Sequence, residues 1–339
     1  MNANHLVVFT ICSNNYLAQA AVLGRSIGKN NPNTSFQIFL CDTKSSEIDY
    51  NLLDLEVTEV SSIEPEIVQL AKKYNIVELN TAVKPAIFKY LFNLKGIEKA
   101  IYLDPDTCVF DSLAIIDEEL DHHSIIFTPH ILTPIPRDGK TPDENLFLNF
   151  GSFNLGFLAL KNDKNSSDLL EWWKAHTYEN GFIMSEKGIF VDQLPMNLAP
   201  IFFDGVKVLK HFGCNMAPWN LHERFLYKVG EKYIVNSSEN LIFYHFSSFT
   251  VDRSILPKWL NRFILEDRSD LVEIYNQYNA NVVSSQFYLF SKIVSSYSLI
   301  YEEQREINRK LKWQQTSTLK KVFGYLKKVV PGSLKNKFK

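Results

Sequence analysis

The chain has 339 residues, enough for one large α/β domain with an appendage or for two small domains. Its formal net charge of −2 hides an asymmetry: residues 305–339 hold eleven Lys and Arg against the single acid Glu306, so that segment is +10 and the remainder −12. An acidic body of ordinary composition, 45% hydrophobic and 22% charged, argues against a nucleic-acid binder, and the basic tail points to an anionic surface as its partner.

The predicted elements alternate. Leu6–Cys12 is a short apolar strand with no basic stretch before it, so it is not read as a leader. Tyr16–Gly28 is helix-like, with Leu17, Ala20, Ala21 and Leu23 at helical spacing and Gly28 as a stop. Phe36–Cys41 is a second strand, Ile63–Tyr74 and Thr81–Asn93 are helices, and Lys99–Leu103 is a nearly continuous apolar strand running into Asp104. This β-α-β alternation predicts an α/β fold with a parallel sheet covered by helices, whose ligands bind beyond the carboxyl ends of the strands. Ser13–Tyr16 and Asp104–Asp106 fall at such ends.

Residues 129–151 carry Pro129, Pro134, Pro136, Gly139 and Pro142 and read as one long loop, of the kind that is often functional. Beyond it, Phe153–Leu160 reads as a strand, Ser167–His176 as a helix and Leu241–Phe246 as a strand. From about residue 254 the pattern is helical, which predicts a division into residues 1–255 and a helical extension over 256–339. No stretch reaches the roughly 18–20 apolar residues needed to cross a bilayer. Cys12, Cys41, Cys108 and Cys214 form no Cys-x-x-Cys pair, so zinc or dithiol chemistry is not expected, and reduced buried thiols of a cytoplasmic protein are.

Asp104-Pro105-Asp106 carries the chemistry. Two carboxylates one residue apart at a strand end can reach one hard divalent ion, and such an ion neutralises a departing diphosphate. The same tripeptide is also an ordinary solvated turn. A metal-dependent phosphoesterase or nucleotidyltransferase also uses paired aspartates, although nothing here resembles their phosphate loops.

Ile101-Tyr102-Leu103-Asp104-Pro105-Asp106 resembles the metal motif of GT-A glycosyltransferases, especially family 8, the glycogenin and bacterial galactosyltransferase type. Further segments over residues 5–250 match in order. Phe9-Thr10-Ile11-Cys12-Ser13-Asn14-Asn15-Tyr16 is similar to the strand and loop that grip uridine, which implicates Thr10, Ile11, Ser13 and Asn15 and puts the Tyr16 ring against the base. Lys84, in Thr81-Ala82-Val83-Lys84-Pro85, stands where the family often has a cation for the donor; a solvated lysine is the other reading. Asn154, in Asn154-Leu155-Gly156, matches the amide that touches the transferred sugar. Asp192 and Gln193 match the pair flanking the anomeric centre, and Asp192 is also a plausible helix N-cap. His245 matches the third metal ligand, completing a site for Mn2+ or Mg2+ with Asp104 and Asp106.

The resemblance implies a GT-A mixed sheet with helices on both faces. It also implies transfer of a hexose, with retention, from a UDP-type nucleotide sugar to a glycan or lipid-linked acceptor. The pattern His-x-x-Gly-x-x-Lys is broken, because Ser248 replaces the glycine and no lysine follows in register. This marks a divergent branch, leaves a non-catalytic binding protein as an alternative, and makes Arg224 the candidate cation for the phosphates. Trp219 reads as an acceptor-stacking ring or a core anchor. In the tail, Leu319, Val322, Phe323, Leu326 and Val330 share a helical face flanked by lysines. That pattern predicts an amphipathic helix on an anionic membrane, a place at the inner membrane face and a role in surface polysaccharide synthesis, with a solvated basic helix as the other reading.

Overall fold

The computed structural model describes residues 5–94, 96–252, 256–257 and 259–329, with side chains described through residue 318. Its centre is a seven-stranded sheet in the order Val206–Val208, Ile125–Phe127, Phe157–Lys161, Lys99–Leu103, Leu6–Cys12, Ser35–Leu40 and Glu56–Glu59. Phe157–Lys161 alone runs antiparallel to its neighbours; the other pairings are parallel.

The Leu-Val-Val-Phe-Thr-Ile-Cys strand is buried on both faces, as a central parallel strand must be. Val7, Phe9 and Ile11 pack with Phe88 and Trp173 from the helices Lys84–Asn93 and Lys164–Asn180. Val8 packs on the opposite face with Leu23 and Ile116 from the helices Leu17–Asn30 and Ala114–His122. Helices therefore cover both faces, which is the GT-A arrangement.

Several expected elements shift. The helix expected over 63–74 shortens to Ile67–Lys73, and that over 81–93 divides into Ile76–Ala82 and Lys84–Asn93, the first opened by an Asn75–Glu78 capping box and the second by Pro85 in its first turn. The 129–151 segment is not all loop: Asp143 caps the helix Glu144–Phe150. The strand expected from Phe153 begins only at Phe157, because Phe153 makes a single bridge to Pro129 and residues 155–156 form a turn. Beyond residue 254 the helices Val272–Ser284 and Ser296–Val329 appear as expected. Leu265, Ile274, Tyr278 and Phe290 share an apolar cluster with Leu17 and Ala21, so this part packs directly on the first helix. Among the described residues no helix is long and apolar enough to cross a membrane. The predicted tail face, Leu319, Val322, Phe323, Leu326 and Val330, lies outside the described side chains.

Candidate active site

The register of the sheet brings the site together. Leu103 pairs with Phe157, so the next residues out meet, and Asp104 N donates to Gly156 O at 2.8 Å. A second, two-stranded ladder pairs His245 with Thr107, and Phe246 N donates to Asp106 O at 2.8 Å. Residues 141 positions apart thereby face one another. His245 Nε2 stands 3.1 Å from Asp106 Oδ1 and 3.7 Å from Asp104 Oδ2, and one donor atom from each of the three side chains lies within 4.8 Å of the others.

This donor set suits a divalent ion: two hard, partly buried carboxylates and one buried imidazole. Gly156 keeps the space beside them clear. A Cβ there would lie 2.6 Å from His245 Cε1, 2.7 Å from Asp104 Oδ2 and 2.8 Å from Asn154 Oδ1. Burial alone would lower the His245 pKa, but Asp106 and then Asp104 outweigh it and raise it.

Beneath the three side chains lies a second layer. Tyr102 donates its hydroxyl to Asp104 Oδ1 at 2.5 Å, and Lys84 Nζ stands 4.5 Å from the Tyr102 ring centre. Lys84 is neither solvated nor turned toward open space. It is 2% exposed, donates to Leu155 O at 2.9 Å and lies 3.0 Å from Asp192 Oδ2. Burial pushes the Asp192 carboxyl pKa up; Lys84 opposes this and Asp104 adds to it. Among the described residues, the Lys84 ammonium at 3.0 Å is the partner of Asp192 Oδ2. Val191, just before it, holds φ 40°, a left-handed conformation that a β-branched residue rarely adopts, so strain is concentrated at this carboxylate.

Asn154 is oriented by groups that sequence reasoning missed. Its Oδ1 accepts from Asn215 Nδ2 at 3.0 Å and from Gly156 N at 3.2 Å, which leaves its amide nitrogen only long approaches, 3.4 Å each, to Gln193 Oε1 and His130 Nε2. Asn215 holds φ 56°, which asparagine tolerates. Nothing in the motif spacing marks Asn215 or His130, since both act through tertiary contacts. Gln193 braces the site: its Oε1 accepts from Leu155 N at 3.1 Å and its Nε2 donates to Phe150 O at 2.7 Å.

On the other side, Ser13 Oγ donates to Asn15 Oδ1 at 2.7 Å and Tyr16 N to Ser13 O at 2.9 Å. Tyr16 is 42% exposed, and burial followed by the Asp106 and Asp104 charges pushes its phenol up to about 12. Thr10 and Ile11 are corrected: they are 0% and 1% exposed, interior parts of the sheet that offer a ligand no surface. Asn14, not singled out beforehand, fixes the loop by donating to Asp42 Oδ2 and Thr43 O, both at 2.9 Å.

Arg224 is also corrected. It is 1% exposed, and its Nη1 donates to Phe212 O at 2.9 Å and Cys214 O at 2.7 Å while its Nε meets Glu223 at 3.3 Å. A guanidinium so enclosed cannot reach a phosphate. Glu223 in turn accepts from Leu132 N and Thr133 N, so this pair fastens the 129–151 segment. Trp219 is 5% exposed and stands T-shaped against His245, so it is a packed ring rather than an open stacking platform for an acceptor.

An acid pair and a histidine at the strand ends of a helix-covered mixed sheet, with a buried amide and carboxylate around them, define a GT-A type glycosyltransferase. The chain belongs to glycosyl transferase family 8, whose profile matches residues 7–250. It is 26% identical over 287 residues to the uncharacterized protein YfnD of Bacillus subtilis (strain 168), covering 80% of this chain and 87% of that one. It is 25% identical over 247 residues to the uncharacterized protein YfnF of the same organism, covering 71% and 81%. Among solved structures it is similar to the galactosyltransferase LgtC in complex with donor and acceptor sugar analogs, at 15% identity and a TM-score of 0.46, covering 81% of this chain and 95% of that one.

Proposed function

We propose that this glycosyltransferase moves a hexose from a uridine-diphosphate sugar to a glycan or lipid-linked acceptor, with retention, in surface polysaccharide synthesis at the cytoplasmic face of a membrane. Family membership supports the reaction class, and the basic tail supports an anionic surface nearby. The observation that carries the reading is the meeting of Asp104, Asp106 and His245 around the gap kept open by Gly156.

These three side chains would hold Mn2+ or Mg2+, which when bound supplies positive charge to a departing diphosphate. Asn15 and Tyr16 border the donor side, with the phenol kept protonated as a hydrogen-bond donor. Asn154 presents a preset amide nitrogen, and Asp192 a carboxylate whose charge Lys84 balances. Asn154 is suited to hold a sugar hydroxyl, and Asp192, itself 1% exposed, sets the charge beneath the sugar rather than offering a free face. No side chain is assigned as a general base, and the leaving phosphate is left to take the acceptor's proton. The functional division proposed is residues 1–255 for catalysis and 256–339 for packing and surface attachment.

The test is mass spectrometry of products from a panel of uridine-diphosphate sugars, with glycan and lipid-linked acceptors, before and after chelation. A glycosylated product that disappears with EDTA and returns with Mn2+ is expected. Undiminished turnover in EDTA would contradict the metal-assisted route, and sugar 1-phosphate with uridine monophosphate in place of a glycosylated product would favour a phosphoesterase.

A further inference from the structure

His245 raises a question of orientation. Histidines that bind metals usually donate their second ring nitrogen to a carbonyl or carboxylate, which fixes the ring plane. Here Nδ1 is buried and has no such partner among the described residues. What meets the ring is Trp219, edge to face, with centroids 5.1 Å apart and planes at 81°. Trp219 Nε1 is likewise without a partner, so the contact is purely one of packing.

Trp219 also faces the other way. His130 lies 5.4 Å from it at 70°, and Phe147 of the helix Glu144–Phe150 lies 5.1 Å from His130. Trp219, Ala217, Phe147 and Ile135 form a small apolar cluster separate from the main core. The turn carrying Trp219 is rigid: Pro218 opens it, Ala217 N donates to Asn220 Oδ1 at 2.9 Å, and Asn220 Nδ2 donates to His130 O at 3.1 Å. His245 N donates to Met216 O at 2.8 Å, so the same turn holds both the backbone and the ring of the histidine.

We infer that Trp219 is the positioning residue for His245, and that through it the 129–151 segment sets how well the three side chains hold a divalent ion. The inference rests on the reading of Asp104, Asp106 and His245 as a metal centre. Packing here does the work that a hydrogen bond does elsewhere: an aromatic ring of the right size is needed, and Phe can supply it while Leu cannot.

The experiment measures Mn2+ binding to the full-length chain without donor, by the loss of the free-ion EPR signal. It compares wild type with Trp219→Phe, Trp219→Leu, Phe147→Ala and the ligand variant Asp106→Ala, with thermal melts run on each. Trp219→Leu is expected to weaken binding about tenfold or more, the scale on which supports of metal ligands act, while Trp219→Phe stays near wild type. Phe147→Ala, remote from the ion, is expected to weaken binding in the wild-type background and to add little once Trp219 is Leu. If Trp219→Leu folds and binds Mn2+ as wild type does, the inference is overturned. If it melts early, an undiminished affinity in Phe147→Ala overturns it instead. Should Asp106→Ala bind as tightly as wild type, the metal-centre reading itself fails, which is a separate result.

Discussion

Lys84 and Arg224 are both cations buried to within 2% exposure, and both stood in the sequence as partners for a diphosphate. Their surroundings differ. Lys84 lies under the reacting groups, between Asp192, the Leu155 carbonyl and the Tyr102 ring whose hydroxyl reaches Asp104. Arg224 closes a knot of carbonyls at Phe212 and Cys214 and, through Glu223, pins Leu132 and Thr133. Either charge, once out of water, must be compensated by fixed partners and so belongs to the frame. What separates a floor of the site from a distant brace is what those partners touch next.

The largest expected effect sets the scale. Asp106→Asn, or chelation of the wild type, should lower the transfer rate a thousandfold or more, since several kcal/mol of charge stabilisation is lost. A thermal melt checks that the variant folds, since Asp106 also faces the His245 ring at 3.1 Å. A variant retaining a tenth of the activity would place the essential charge elsewhere.

The comparison itself is tested next. Lys84→Met leaves Asp192 buried without its counter-charge, and breaking a buried pair in this way costs about 3–5 kcal/mol. Transfer per folded molecule should fall with it. Arg224→Met should destabilise on a similar scale, yet the molecules that remain folded should keep the donor KM of wild type. Urea melts with initial rates at several donor concentrations separate the two. A raised donor KM in an undiminished Arg224→Met fold would return that arginine to the phosphates.

A smaller effect tests the histidine behind the site. Burial holds the His130 pKa down to about 3, against an ordinary value near 6.5. Above pH 6.5 neither folded nor unfolded chain protonates it, so it contributes nothing to the pH dependence. Below that, the unfolded chain takes up a proton that the folded one refuses, and stability falls by up to about 1.4 kcal/mol per unit until pH nears 3. His130→Gln should flatten the acid limb by about 1.5 kcal/mol between pH 6.5 and 5 in urea melts. Parallel limbs for the two proteins would mean that His130 is charged in the fold.

The sheet was legible because its strands are runs such as Val7-Val8-Phe9 and Ala100-Ile101-Tyr102 that only a doubly covered strand tolerates. The edge strands Glu56–Glu59 and Val206–Val208 were not, being short and half-exposed. Asp104, Asp106 and His245 were found through a resemblance of local motifs, and their meeting depends on the two strand registers at Leu103–Phe157 and Thr107–His245, which no local pattern encodes. Arg224 misled because an arginine in a polar loop carries no mark of its burial, and Asn215 escaped because its partner Asn154 is 61 residues away.

Ser248 gives the smallest effect. It stands where the resemblance places a glycine, three residues after His245, and the structure holds it at φ 59°. The backbone has therefore kept the left-handed turn although the residue that makes it easy is gone. Holding a side chain there costs roughly 1–2 kcal/mol. Its only described hydrogen bond is a marginal one of 3.5 Å from Trp259 Nε1, which is itself 44% exposed. Ser248→Gly removes the strain but frees the unfolded chain by about 0.4–1 kcal/mol, so a net stabilisation of about 0.5 kcal/mol is expected, with Mn2+ binding unchanged. If the glycine variant is instead less stable or slower in transfer, the hydroxyl has a task that the turn alone does not explain, and the departure at this position is functional rather than tolerated.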